Sequence, residues 1–183
     1  MNTFSIISER AKIEEGVVIG RFCIIEDGVE LRDGVVVEDY AMILSGSVIG
    51  SGTKIGTYTK IGRNVSIGAK CSFTSFCEIR DNCKIGDGVI MGSRGTLSAN
   101  TIVEDDVVMK YAFVVTDTPD LTRNNEKIVG RLGKGSRFGA SVVIMPGVNI
   151  GANAEVGACS QVRKDVPSNE VWFGIPARYY RGA

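Results

Sequence analysis

The chain has 183 residues, of which 21 are Lys or Arg and 21 are Asp or Glu, and it contains no histidine. Zero net charge gives no electrostatic reason to expect nucleic acid or an anionic membrane as a partner, and no apolar run approaches the roughly 20 residues of a membrane span. The opening Met1-Asn2-Thr3-Phe4-Ser5 lacks the basic and apolar blocks of a secretory signal, so a cytoplasmic protein is expected.

From Ile7 to Val115 every sixth residue is apolar, nineteen hexads without a slip; six more run from Leu132 to Val162, twenty-five in all. Such a period cannot be a helix, whose faces recur every 3.6 residues, and it suits short strands joined by corners. The third residue after each apolar one is often Gly, Asn or Asp, as at Gly16, Gly28, Gly46, Asn64, Asn82, Asn100, Asp106, Asn153 and Asp165. These types tolerate the left-handed backbone that a sharp corner demands. Three hexads close a triangular coil, each strand pairing with the coils above and below: a parallel β-helix of about eight coils, roughly 4.8 Å apart.

Cys23, Cys71, Cys77 and Cys83 each fall four residues after a repeat residue, a slot otherwise held by Ala, Val, Ser or Thr. They read as small core fillers, so their spacing is the hexad and not a zinc motif. Cys159 falls at an outward corner, where a thiol can react. The face built on Ile7, Ile25 and Ile43 turns Ile6, Ile24, Met42, Leu44, Val114, Val143 and Met145 outward, whereas the face of Ile13 and Leu31 turns out mainly charge. The apolar face is expected to meet other copies of the chain.

The first coils span 1–120, and the repeat is interrupted over 121–131, with a polar middle from Thr122 to Lys127 that reads as a loop extruded from one corner. A smooth prism has no pocket of its own, and such a loop walls one off. Final coils follow over 132–166. In the tail, 167–183, Trp172 and Phe173 are expected to pack over the last coil and cover its open edge.

Repeats such as Ile49-Gly-Ser-Gly-Thr-Lys54 and Ile85-Gly-Asp-Gly-Val-Ile90 resemble the hexapeptide-repeat family, which implies an all-β, left-handed parallel β-helix and a homotrimer. The segment Val103–Pro119, the loop, Lys134–Gly151 and the closing Ala154–Arg178 are similar to the acyltransferases of that family, most of all those that acylate nucleotide-linked amino sugars for surface polysaccharides. This resemblance implies acetyl-coenzyme A or another acyl-coenzyme A as donor, held between neighbouring prisms. Backbone groups around Gly139, Ala140, Ala158 and Ser160 would hold its pantetheine, and Arg163, Lys164 or Arg178 its phosphates. Arg94, Lys110 and Tyr111 are candidates for the acceptor side; Arg94 either meets a phosphate or faces solvent, and Tyr111 either stacks on the ligand or covers the wall.

Many members of the family use a histidine base near the position of Thr116-Asp-Thr-Pro119, and this chain has none. A sugar hydroxyl must lose its proton as it attacks a thioester. An amine with a pKa near 8 costs only about 1.4 kcal/mol to free at pH 7, and even a five-unit gap between the two acceptors adds about 7 kcal/mol to the demand on a base. An amine acceptor is therefore favoured, with Asp117 as candidate to orient it or take its proton; a turn-forming role beside Pro119 is the alternative. Competing readings are an O-acetyltransferase and a non-catalytic β-helix scaffold. No metal is expected, since histidine ligands are absent.

Overall fold

A computed structural model describes residues 4–122 and 127–183 and contains strands but no helix among them. Twenty-four two-residue strands, from Ile6–Ile7 to Gln161–Val162, occupy the expected hexads, and the remaining hexad, at Ile150, forms an isolated bridge. They stack into three parallel sheets, one per face of a left-handed prism. The first face holds nine strands and the second seven, while the third holds ten including the tail. Twenty-five hexads at three per coil make eight coils and one strand of a ninth, which is why the first face is nine deep.

Register is uniform at eighteen residues per coil, with Ile7 against Ile25 and Ile25 against Ile43. It survives the interruption, because Val103 pairs with Leu132 and Val115 with Ile144. The inserted segment is thus looped out without disturbing the column. Of its expected polar middle, residues 123–126 lie outside the described residues.

From Ile25 onward the repeat residues fill a single core in which Ile43, Ile49, Ile55, Ile61, Ile79 and Leu97 are fully buried, whereas Ile7 and Ile13 in the first coil are exposed. The four small-slot cysteines are buried with them, and only Cys159 is exposed. Three of the small polar residues in that slot, and its four cysteines, make a bond that the sequence did not disclose. Ser47, Thr53 and Thr59 donate to carbonyls fifteen residues on at 2.7–2.9 Å, and the thiols of Cys23, Cys71, Cys77 and Cys83 do so at 3.1–3.4 Å. Burial pushes these thiols up, Cys83 to about 11.

Most corners follow the Gly/Asn/Asp reading, with positive φ from Gly16 to Asn153; Asp165 does not adopt it, and its carboxylate instead accepts the Asn149 N–H at 2.8 Å. The corner between the third and first faces breaks the rule altogether. There Phe4, Phe22, Tyr40, Tyr58, Phe76, Arg94, Ala112, Ser141 and Cys159 all take positive φ. The five aromatic residues form an exposed ladder of nearly parallel rings, with centroids 4.8–5.6 Å apart.

The tail closes the third sheet. Glu170–Gly174 pairs in parallel with Glu155–Val156 and antiparallel with Ala177–Gly182. Trp172 packs against the core, and its indole donates to Glu170 at 2.7 Å. Phe173, on the opposite side of the strand, stays out of the core: it lies over Gly157 of the last coil and meets Tyr180 edge-on at 5.0 Å, half exposed. The apolar strip of the first face is likewise divided, since Lys60, Glu78 and Thr96 stand in register between Met42 and Val114.

Candidate functional site

The loop leaves the first face after Val115. There the Thr116 N–H and hydroxyl both donate to the Ile144 carbonyl, at 3.0 and 2.8 Å, fixing the direction in which the chain departs. Its return is fixed by Ile128, whose N–H donates to the Asp117 carbonyl at 2.9 Å, and by Gly130. A Cβ on Gly130 would lie 1.6 Å from the Val148 carbonyl oxygen, so only glycine permits the loop to rejoin the column here.

Between these two anchors the Asp117 carboxylate is largely enclosed, its side chain 14 % exposed. The Thr118 hydroxyl donates to it at 2.8 Å, and Lys127 donates to that same hydroxyl at 2.6 Å while its ammonium lies 3.6 Å from Asp117. A carboxylate and an ammonium are thus linked through one hydroxyl. Asp117 and Thr118 open onto a groove of about 500 Å³ on the first face, bounded by Glu78, Arg80, Thr96, Ser98 and Met145, with Lys127 behind them. Its dimensions are those of a small-molecule site.

The other residues singled out from the sequence lie elsewhere. Lys110 and Gly139 share a groove of about 320 Å³ on the third face with Arg137 and Glu155. Arg94 and Tyr111 share a pocket of about 390 Å³ with Phe76 at the corner between the third and first faces. Ala140 and Ala158 lie higher on that corner, where the Cys159 N–H donates to the Ala140 carbonyl at 2.8 Å. Ser160 is buried and its hydroxyl accepts the Gly174 N–H at 2.9 Å, so its side chain anchors the tail. Arg163 and Lys164 are exposed beyond the last first-face strand, with Arg163 donating to Gln161 at 2.6 Å; Arg178 is exposed on the tail hairpin and donates to the Ala177 carbonyl at 2.9 Å.

In one chain, then, Asp117 stands at one edge of the first face, and Arg94, Tyr111, Ala140 and Ala158 stand at or beside the other. Thr118, Lys127, Glu78 and Arg80 were not picked out from the sequence. Eighteen-residue register carries the signal for the last two, because Glu78 lies beneath Thr96 and Val114. No group of three or more Cys, Asp or Glu placed to hold a metal ion occurs among the described residues.

Two repeat-family models match the chain: bacterial transferase hexapeptide (six repeats) over residues 58–93, and hexapeptide repeat of succinyl-transferase over 10–38 and 131–160. The chain is similar to galactoside O-acetyltransferase of Escherichia coli K12, 36% identical over 91 residues, which is 47% of this chain and 43% of that protein. It is also similar to UDP-3-O-acylglucosamine N-acyltransferase of Caulobacter sp. K31, 43% identical over 47 residues, 26% of this chain and 14% of that one. In each case the match spans less than half of the relative's own length. Among solved structures, LpxA from Acinetobacter baumannii superposes with a TM-score of 0.88 at 21% identity, over 98% of this chain and 72% of that one, which establishes a common fold.

Proposed function

Because this chain belongs to the hexapeptide-repeat acyltransferase family, we propose that it transfers an acyl group, acetyl in the simplest case, from coenzyme A to the amine of a nucleotide-linked amino sugar. The observation that carries this reading is the Asp117–Thr118–Lys127 cluster, set at the loop in a chain that has no histidine. The amine nitrogen attacks the thioester carbonyl, and its proton passes to the Asp117 carboxylate. As the tetrahedral intermediate collapses, the C–S bond breaks and the thiolate takes a proton from the Lys127 ammonium. The Thr118 hydroxyl, bonded to both groups, then hands the Asp117 proton on to Lys127 and restores the starting state. Two side chains and a hydroxyl do what one imidazole does when it first accepts and then donates.

The working form in this reading is a homotrimer. A single chain leaves Asp117 a full face width from the corner of Ala140 and Ala158, and a neighbouring prism closes that distance by setting its own corner against the loop. Backbone around Gly139, Ala140, Ala158 and Ser160 holds the pantetheine, and Arg163, Lys164 or Arg178 its phosphates. Ile6, Ile24, Met42, Val114 and Val143 supply apolar contact along the first face.

The similarity to galactoside O-acetyltransferase favours a second reading, transfer to a sugar hydroxyl, in which Asp117 must act as a full general base. Incubation with acetyl-coenzyme A and a panel of nucleotide-linked amino sugars and their hydroxyl counterparts, followed by mass, separates the two. Acetyl gain confined to amino sugars is expected. Gain on the hydroxyl counterparts would establish the second reading, and no gain together with no coenzyme A binding would leave a scaffold.

A further inference from the structure

The aromatic ladder stops where the candidate site begins. Phe76 stacks on Tyr58 with centroids 5.1 Å apart and planes 10° from parallel, so one of its faces is covered. The next position up the same corner is Arg94, and above it stands Ala112. No sixth ring continues the stack. Phe76 remains 54% exposed, and among the described residues the Arg94 guanidinium has no carboxylate or carbonyl partner.

The slot that a sixth ring would fill is a pocket of about 390 Å³ with Phe76 below, Arg94 and Ala112 along the corner, and Tyr111 at the side, together with Ser75 and Ser93. Tyr111 lies against Gly92: a Cβ placed there would meet the tyrosine ring carbon Cδ1 at 3.1 Å. The pocket thus offers an aromatic face already held parallel to the ladder's layers, a second aromatic ring, and a cation free to pair with an anion.

We infer that this pocket binds a nucleotide, with its heteroaromatic base stacked on Phe76 as the next rung and a phosphate on Arg94. Stacking suits the base because every base has a π-face, and a guanidinium binds phosphate in a fork. The position is also continuous with the acyl-transfer groove. Phe76, Arg94 and Ala112 are each two residues from Glu78, Thr96 and Val114, which bound that groove. A ligand with its base at the corner extends across the first face toward Asp117. Only this last step rests on the proposed acyl transfer; binding of the base does not.

Two sources supply the same chemistry: the nucleotide of the sugar acceptor, and the adenine nucleotide of coenzyme A. Titration calorimetry of the full chain with UMP, AMP and ribose 5-phosphate tests the site. UMP or AMP is expected to bind at least tenfold more tightly than ribose 5-phosphate. Phe76→Leu, which keeps bulk but removes the π-face, and Arg94→Gln, an exposed change, are each expected to weaken the bound nucleotide about tenfold. Displacement by coenzyme A alone assigns the base to the donor; displacement by a UDP-sugar alone assigns it to the acceptor. Absence of binding by both nucleotides, equal affinity for ribose 5-phosphate, or an unchanged Phe76→Leu overturns the inference. Acyl transfer without nucleotide binding would remove this site alone, and nucleotide binding without acyl transfer would remove the catalytic reading alone.

Discussion

The corner between the third and first faces runs the height of the prism, and its two halves use one backbone conformation for different ends. Below, Phe4, Phe22, Tyr40, Tyr58 and Phe76 hold positive φ and stack; above, Arg94, Ala112, Ser141 and Cys159 hold the same φ and do not. A left-handed conformation costs a non-glycine residue about 1–2 kcal/mol, and a stacked aromatic pair contributes about 0.5–1.5 kcal/mol. The lower rungs offset much of their strain against one another. The upper residues make no such contact, and the space they leave adjoins the pockets. The lower half of the column is therefore read as structure, and the upper half, with the loop, as site.

The sharpest way to break that division is to change the rate without changing the fold. Asp117→Asn is expected to lower turnover by about 100-fold or more while leaving the melting temperature near that of the parent, checked by mass-detected acetylation beside thermal unfolding. Unchanged turnover would remove Asp117 from the chemistry. Gly130→Ala should cost activity about 100-fold through a misplaced loop, since the new methyl meets the Val148 carbonyl and the ammonium of Lys127 moves with the chain. Normal rates in this variant would show that the loop's return does not set the site.

The complementary test lies below. Tyr40 stacks on both sides, at 5.1 and 4.8 Å, so Tyr40→Ala should lose about 1–3 kcal/mol of stability in denaturant titration with turnover unaltered. Tyr40→Asn should lose less, because asparagine tolerates the left-handed region; an equal loss would mean that strain plays no part. Thiol labelling of the native protein is expected to modify Cys159 alone, the other four being buried and their thiols pushed up by desolvation.

The smallest effect is expected in acid. The Arg21 backbone N–H and then its guanidinium hold the Asp39 carboxyl low, and the Ser45 hydroxyl and then its N–H do the same for Glu26. A folded-state value below the unfolded one contributes stability that is present above the unfolded pKa, near 4, and lost as pH falls through the folded value. Melting temperature should therefore decline below about pH 4, less steeply in Asp39→Asn. An identical decline in that variant would place the acid-sensitive contacts elsewhere.

Much of the architecture was legible in the sequence because a period of six is a strong signal and one register error would turn the repeat residues outward. The corner glycines and asparagines were legible for the same reason, Asp165 excepted. The ladder was not, although its rings recur every eighteen residues: attention to which residues tolerate a corner hides those that do not and are stabilised by neighbours a coil away. Asp117 was legible from its place before the loop. Lys127 was not, because its position depends on how the loop returns, through Ile128 and Gly130, and no spacing encodes that path.

The chain's single tryptophan lies at one end of the column, tied to Glu170 and packed on the last coil by the tail hairpin. In a solenoid each coil contacts only its neighbours, so the two ends can open independently. Indole emission is accordingly a built-in optical label for the tail end alone. A red shift that precedes loss of the far-ultraviolet β signal would mean that opening starts at the tail, and loss of that signal with the emission intact would mean that it starts from the opposite end.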